Sequence, residues 1–330
     1  MSYSHLSKAE RQVVYFMREI RKCSLRAIAE ALGRCVSTIS RELRRNLDSR
    51  GEYHPDLACV LYWQRRDRLV VRPKTEHRPL MRLVVGRLKE GWSPEQIAGR
   101  FRHVEFEDNA QYRISHETIY RYIKADRQRG GKLYRLLRRS GLRKYERKGQ
   151  GGMLGRMMNR TSIDERPIEV DMQTRFGDWE GDTIRGGKGQ GHAATFVERK
   201  SLFLAAALMK DAKADTLSMA ARTAFDGIPN RLIHTITVDN GKEFAAYPDI
   251  EKDFETSVYF AHPYSAWERG VNENTNGLLR QYIPKKTNLL TLSPTQFKEA
   301  IDRLNHRPRK KLKYRTPQEV FTDVCVALGT

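Results

Sequence analysis

The sequence predicts two kinds of architecture in one chain: an all-α N-terminal region followed by an α/β layered domain. Three observations carry this. Apolar residues recur at helical spacing before residue 130, short β-branched and alanine-rich runs appear after about residue 175, and charge is split unevenly between the halves. Of the 330 residues, 61 are Lys or Arg and 40 are Asp or Glu, a net of +21. Residues 1–150 hold 35 basic and 17 acidic side chains, and residues 151–330 hold 26 and 23. A strongly basic half beside a near-neutral one points to a polyanion-binding module joined to a domain of another kind.

Composition removes several classes. The longest apolar run, Leu202–Met209, is eight residues, against the ~20 needed to span a bilayer. Ser2, Tyr3, Ser4 and His5 form no apolar signal-peptide core. Cys23, Cys35, Cys59 and Cys325 are scattered, without a Cys-x-x-Cys pair, and suggest neither a disulfide framework nor a zinc ribbon. A cytoplasmic protein with reduced thiols is expected, without a membrane partner.

In the first half, Leu25, Ile28, Ala29 and Leu32 mark one helix, Gly33 a turn, and Ile39 and Leu43 the inward face of a second helix that Ser37 is expected to cap. A small residue at the helix crossing, a glycine at the turn and an aliphatic six residues further on form a helix-turn-helix pattern. Ser37, Thr38, Arg41, Arg44 and Arg45 point away from Ile39 and suit a major groove and its phosphates. Residues 1–70 are therefore assigned to a DNA-binding domain. A second helical region, 71–126, opens on Ser93-Pro94-Glu95-Gln96, a capping box with proline at the first helical position. There Ser115 caps a helix that turns Ile119 and Ile123 inward and His116, Glu117, Tyr120 and Arg121 outward. His116 and Arg121 join the candidate DNA contacts. Ten of the 22 residues 127–148 are basic, and Gly149, Gly151, Gly152 and Gly155 follow. Residues 127–172 are expected to be a basic, glycine-containing linker whose basic run, 127–148, lies along phosphates.

The second half, 173–330, reads as three strands (177–186, 192–200, 201–210), a helix (214–225), a strand (232–238), another short strand (258–261), a helix opened by a Ser265…Glu268 capping box and running toward Ile283, and a helix over 294–305. This is an α/β layered domain. Asp182 lies in the first strand, Asp239 ends the fourth, and Glu273 sits on the late helix, with 33 residues between it and Asp239. A carboxylate on an otherwise apolar strand is costly unless paired or metal-bound, and such a set can hold hard divalent cations through oxygen. Asp178 and Glu180 share the strand face of Asp182 by period-two alternation and stay open as alternative ligands. Gly270, Asn272, Asn274, Asn276 and Gly277 make the segment around Glu273 a poor helix former, a local rule break expected at a functional site. Asn276 is a candidate partner of the carboxylates. Arg269 and Arg280 are candidate phosphate contacts.

The motifs Gly177-Asp178-Trp179-Glu180-Gly181-Asp182-Thr183-Ile184, Val197-Glu198-Arg199-Lys200-Ser201 and Val238-Asp239-Asn240-Gly241-Lys242-Glu243-Phe244 resemble a bacterial transposase family, that of insertion sequence thirty. So do Pro263-Tyr264-Ser265, Trp267-Glu268-Arg269-Gly270 and Asn272 through Arg280, with Asn305-His306-Arg307-Pro308 near the end. The chain departs from the pattern at Ala266, where proline is expected, and at Val271, where threonine is. The resemblance implies a ribonuclease-H-like integrase catalytic core with an Asp–Asp–Glu triad at Asp182, Asp239 and Glu273. It further implies two Mg²⁺ ions, for which Mn²⁺ can substitute, and at least a dimer assembled on paired ends. The expected activity is metal-dependent cleavage and strand transfer on double-stranded DNA, the element's terminal inverted repeats and the target. The rival is a non-enzymatic, sequence-specific DNA-binding regulator with a repurposed core; the intact carboxylate set argues against it. A bacterial cytoplasmic, nucleoid-associated location follows from the same reading.

Overall fold

Ser7 opens the first helix of the computed structural model with a reciprocal capping box to Glu10. The structure describes residues 5–69, 73–138, 160–263 and 265–327. The chain forms two compact units, Met1–Glu76 and His77–Thr330. The expected glycine-containing join at 149–155, residues 139–148 of the basic run and Tyr264 lie outside the described residues.

Unit 1 is helical: α1 (Lys8–Tyr15, continued by a π-turn over Phe16–Ile20), α2 (Leu25–Ala31), α3 (Val36–Arg45) and α4 (Pro55–Leu69). Val14, Ile28, Ala29, Ile39, Tyr53 and Ala58 form its buried core. Gly33 takes φ +59° between α2 and α3, the left-handed turn expected of glycine at that place. Ser37 does not cap α3. Cys35 occupies the N-cap and Ser37 lies inside the first turn, because the helix begins two residues before the position its apolar spacing marks. Arg11 and the Tyr53 hydroxyl both donate to Glu42 (2.7 and 3.2 Å), tying α1 and the loop before α4 to α3.

Unit 2 begins with α5 (Arg78–Lys89), α6 (Pro94–Arg100, continued by a π-turn over Phe101–Glu105) and α7 (His116–Gln128). Both capping expectations hold here. Ser93 and Gln96 form the reciprocal box, and Ser115 accepts from the backbone N–H of Thr118. Leu80, Val84, Leu88, Ile97, Phe101, Ile119 and Ile123 are buried together. Leu133, Leu136 and Leu137 pack on that cluster through a 3-10 turn rather than an α-helix. This helical body shares a compact unit with the sheet. Arg100 pairs with Glu319 and Arg307 donates to Gln96 (2.8 Å), contacts across more than 200 residues of chain.

After α8 (Ile168–Met172) come β1 (Asp178–Arg185), β2 (His192–Glu198), β3 (Leu204–Met209), α9 (Ala214–Ala224), β4 (Thr235–Val238), α10 (Tyr247–Phe254), β5 (Ser257–Phe260), α11 (Gly270–Leu279), α12 (Pro294–Asn305) and α13 (Pro317–Ala327). The sheet order is β3-β2-β1-β4-β5. β1, β2 and β3 are successive antiparallel neighbours, while β4 and β5 run parallel to β1 and to each other. The short turns allow the first arrangement, and the α9 and α10 crossovers produce the second. This mixed five-stranded sheet with helices on both faces is the ribonuclease-H-like arrangement.

Alternation along β1 divides its side chains between two layers. Trp179 enters the face covered by α9, α10 and α13, among Phe196, Phe225, Ile236 and Phe321. Ile184 enters the face covered by α11 and α12, with Leu279, Phe297 and Leu304. Asp178, Glu180 and Asp182 share the parity of Ile184, so the acidic side chains of β1 face α11. Asn305 pins α12 to the edge strand by exchanging two 2.9 Å bonds with the backbone of Leu204. That exchange accounts for the Asn305 position of the closing motif.

The Ser265…Glu268 capping box does not form. A 3-10 turn, Ala266–Arg269, precedes α11, and Ser265 makes no capping bond. Glu268 accepts instead from the backbone N–H of His262 (2.8 Å) and meets its ring (2.9 Å). The helix ends at Leu279, four residues short of Ile283.

Candidate active site and DNA-binding surface

Asp182 lies near the end of β1, half-buried, with its side chain 28% exposed. Its Oδ1 accepts the N–H of Thr183 (2.8 Å) and its Oδ2 accepts the amide of Asn276 on α11 (3.0 Å). Burial pushes its carboxyl above the ordinary range. Arg269 opposes that rise, and Asp239 adds to it.

Asp239 follows β4 directly. Its Oδ1 accepts from the N–H of Gly241 (2.9 Å), an Asx turn. Asn240 fixes the turn by donating to the carbonyl of Ala261 beyond β5 (2.6 Å). A Cβ at Gly241 would lie 2.8 Å from Asp239 Oδ1 and 2.6 Å from Glu243 Oε2, so the Asp-Asn-Gly motif needs its glycine for room. Glu243 accepts in turn from the Thr183 hydroxyl (3.1 Å), tying this loop back to β1.

Arg269 joins the two aspartates. Its guanidinium lies 3.2 Å from Asp239 Oδ2 and 3.6 Å from Asp182 Oδ1, and donates to the carbonyl of Gly181 (3.3 Å). One positive centre therefore reaches oxygens of both carboxylates.

Glu273 is exposed in the first turn of α11. It stands three residues before Asn276, on the helix edge whose amide touches Asp182. The ligand atoms of Asp182, Asp239 and Glu273 do not all approach within 4.8 Å of one another. Among the described residues a set that does is Asp48, Glu52 and His54 in unit 1. The structure thus brings the two aspartates to a common cation and puts Glu273 on the adjoining helix edge.

The alternative ligands are otherwise engaged. Asp178 is buried against Arg175 (3.0 Å) and the Thr235 hydroxyl (2.8 Å). Glu180 is buried, with Arg199 at 2.5 Å and the backbone N–H of Asn272 at 2.8 Å. Burial pushes the Glu180 carboxyl above its ordinary range, and the Arg199 guanidinium offsets only part of that rise. The side chain of Asn272, itself fully buried, donates to the carbonyls of Glu180 (2.7 Å) and Thr195 (3.1 Å). The amides that make α11 a poor helix former are thus the groups that dock it: Asn272 on β1 and β2, Asn276 on Asp182.

Sequence reasoning missed the buried Glu198. It accepts from the backbone N–H groups of Gly177 and Lys200 (3.2 Å each) and from Ser201, closing the β2–β3 turn onto the start of β1. Its signal was present in the Val197–Ser201 motif. That motif supplies two buried charges, Glu198 and Arg199, with two unrelated jobs.

In unit 1, Ser37, Arg41, Arg44 and Arg45 are exposed along α3, and Thr38 is half-buried. Arg41 folds back on its own helix, donating to the Ser37 carbonyl (3.0 Å) and hydroxyl (3.2 Å). A concavity of about 460 Å³ beside α3 is lined by Thr38, Arg41 and Arg45 together with Arg65 and Arg66 of α4. Those last two arginines were not anticipated. In unit 2, His116 and Arg121 are exposed on α7, with Arg121 3.3 Å from Glu117. Arg280 donates to the Arg185 carbonyl at the end of β1 (2.8 Å), so it braces α11 against the sheet.

A mixed sheet with one aspartate inside its central strand and another just past the end of the neighbouring strand, behind a helix-turn-helix, defines a DNA-processing enzyme of the integrase and transposase class. Residues 2–46 match a helix-turn-helix domain family. The chain is 42% identical over 327 residues to the transposase for insertion sequence element IS4351 of Bacteroides fragilis, covering 97% of this chain and 96% of that one. It is 37% identical over 333 residues to transposase InsI for insertion sequence element IS30A of Escherichia coli (strain K12), covering 96% and 83%. Among solved structures, the catalytic core domain of BIV integrase aligns with a TM-score of 0.36 and 18% identity, over 47% of this chain and all of that one. The chain belongs to the IS30 family of transposases. It is a DNA-binding polynucleotidyl transferase, and the family implies dependence on a divalent metal ion. Among the described residues no helix is long and apolar enough to cross a membrane.

Glu180→Gln should destabilise the protein by about 3–5 kcal/mol, because it leaves the buried Arg199 guanidinium without its counter-charge. Glu180→Gln/Arg199→Gln should recover part of that loss. Thermal melting of the two variants checks this; equal melting of Glu180→Gln and wild type would mean the pair does not hold α11 to the sheet.

Proposed function

We propose that Asp182, Asp239 and Glu273 are the catalytic carboxylates and that they hold two Mg²⁺ ions, with Mn²⁺ able to substitute. The observation that carries this reading is the shared cation: Arg269 reaches Asp182 and Asp239 at once. Their oxygens therefore face a common point, and carboxylate oxygens are the donors that hard divalent ions take. Both side chains are part-exposed, at 28% and 38%, so ions and a DNA phosphate can approach. Bound there, Mg²⁺ would supply activation of the attacking oxygen and stabilisation of the leaving one.

The chain's own residues do the positioning. Asn276 orients Asp182, the Asx turn at Gly241 orients Asp239, and Asn272 seats the helix that carries Glu273. In cleavage, water attacks the phosphorus at the element end, the P–O3′ bond breaks, and a 3′-hydroxyl and a 5′-phosphate result. In strand transfer, that 3′-hydroxyl attacks a target phosphorus and displaces the target's 3′ oxygen. No side chain becomes attached to DNA.

The DNA substrates are the terminal inverted repeats and the target. Ser37, Thr38, Arg41, Arg44 and Arg45 read the ends in this proposal. His116 and Arg121 form a second contact from α7, and the basic run 127–148 meets phosphates. A homo-oligomer, at least a dimer, brings two ends together in the bacterial cytoplasm at the nucleoid.

Asp182→Asn, Asp239→Asn and Glu273→Gln should each abolish Mg²⁺-dependent nicking of an end-containing duplex while leaving end binding and melting largely intact, since the amides keep size but lose the charge that holds the ions. Near-wild-type nicking in any of the three removes that residue from the set. Arg41→Ala should weaken preference for the cognate end by roughly 1–3 kcal/mol if the guanidinium meets a base edge. Competition binding that falls equally on cognate and random duplex assigns Arg41 to phosphate instead.

A further inference from the structure

Arg269 makes contacts unlike those of the other arginines paired with the acids of β1. Arg199 meets Glu180 at 2.5 Å and Arg175 meets Asp178 at 3.0 Å, below and just above the ~2.7–2.9 Å of strong charge-assisted bonds. Arg269 stands 3.2 and 3.6 Å from its two carboxylates and 3.3 Å from the Gly181 carbonyl. Its buried Nε has no hydrogen-bond partner, a feature it shares with Arg199, so the contrast lies in the longer contacts. The guanidinium is thus spread over three acceptors, close to none, with one donor unspent. Two long hydrogen bonds, to Asp239 and to the Gly181 carbonyl, and the attraction of both carboxylates hold it there.

Its position in the chain favours movement. Arg269 closes a 3-10 turn, with Gly270 next in sequence, and the neighbouring Trp267 is 77% exposed. The bonds that fix the start of α11 to β1 and β2 belong to Asn272, three residues later. Arg269 can therefore leave the carboxylates without unseating the helix.

We propose that Arg269 is a displaceable counter-cation of Asp182 and Asp239, which a divalent ion must outcompete and which, once displaced, engages a DNA phosphate. The inference rests on the carboxylate assignment made above. Two carboxylates beside a divalent ion are neutral; the guanidinium in the same place adds a positive charge that the ion must work against. Away from them, its planar fork matches two phosphate oxygens. Metal loading and phosphate capture are then coupled through one side chain, and Arg269 acts as a positioning residue for substrate.

The full-length chain is titrated with Mn²⁺, read by the loss of the free-ion electron paramagnetic resonance signal, in wild type, Arg269→Gln, Arg269→Lys and Asp182→Asn. Arg269→Gln should bind Mn²⁺ roughly 5- to 10-fold tighter, the size of a single part-screened charge contact. Arg269→Lys keeps the charge and should stay near wild type. With an end-containing duplex, Ca²⁺ should raise DNA affinity in wild type by several-fold more than in either Arg269 variant, since neither retains the fork. Unchanged or weaker Mn²⁺ binding in Arg269→Gln overturns the counter-cation role. An equal Ca²⁺ gain in all three overturns the phosphate role. If Asp182→Asn binds Mn²⁺ as wild type does, the carboxylate assignment itself fails. If Asp182→Asn loses the ion and Arg269→Gln leaves affinity unchanged, only the Arg269 proposal fails.

Discussion

Asn272 spends its side chain and its backbone N–H on three acceptors of two adjacent strands: the carboxylate and carbonyl of Glu180 and the carbonyl of Thr195. The geometry of the face that carries the carboxylates depends on this dock. A polar side chain is expensive to bury unless its hydrogen bonds are met, and here an asparagine meets them only if α11 lies in one register across β1 and β2. The register then decides the rest: Asn276, one turn on, reaches Asp182, and Glu273 falls on the same helix edge. Glu180 cannot serve in this way while free to ionise into water. It is held by Arg199, which the β2–β3 turn supplies, and that turn is closed by Glu198. A chain of buried charges therefore leads from the turn through the central strand to the helix, and apolar layers on both faces of the sheet exclude the water that would weaken it.

How much of this was legible in the sequence depends on distance along the chain. Features set within a few residues were readable: the alternation of β1, the glycine between α2 and α3 and the capping box at Ser93. The faces of α7 were also readable, since Ile119 and Ile123 are buried and His116 and Arg121 exposed. Where local reading failed, another residue had won. Glu268 fits a capping box by spacing, yet His262 claims it. Ser37 suits an N-cap by type, but Cys35 comes first and the helix starts there. Asp178 and Glu180 look like Asp182 on paper. Only the placement of Arg175, Thr235, Arg199 and Asn272, up to 92 residues away, separates a structural carboxylate from one open to solvent.

The same limit explains the helical region that precedes the sheet in unit 2. By composition it belongs with the basic first half. By packing it belongs with the sheet. Arg100 is shared by Glu105 and Glu319, His103 stacks on Tyr314 at an interplanar angle of 4°, and Gly99 faces the Tyr314 ring where a Cβ would clash at 2.2 Å. Arg307, in the closing motif, bridges Gln96 and Gln281 (2.8 and 2.5 Å). The motif is thus a clasp between the helical body and the core. Any ligand met by His116 or Arg121 bears on the same compact unit as the carboxylates.

The central claim is that Asp182, Asp239 and Glu273 share one divalent-ion site although they come from three separate elements. Iron-directed cleavage of the backbone tests this most directly: Fe²⁺ is substituted into the full-length protein and, with ascorbate and peroxide, generates hydroxyl radicals at its binding site, after which the fragments are mapped by mass spectrometry. The account predicts three clusters of cuts, near the end of β1, in the turn after β4 and in the first turn of α11, all suppressed by excess Mg²⁺. Cuts confined to residues 48–54, where Asp48, Glu52 and His54 already lie close together, or cuts at β1 and β4 with none on α11, would contradict it.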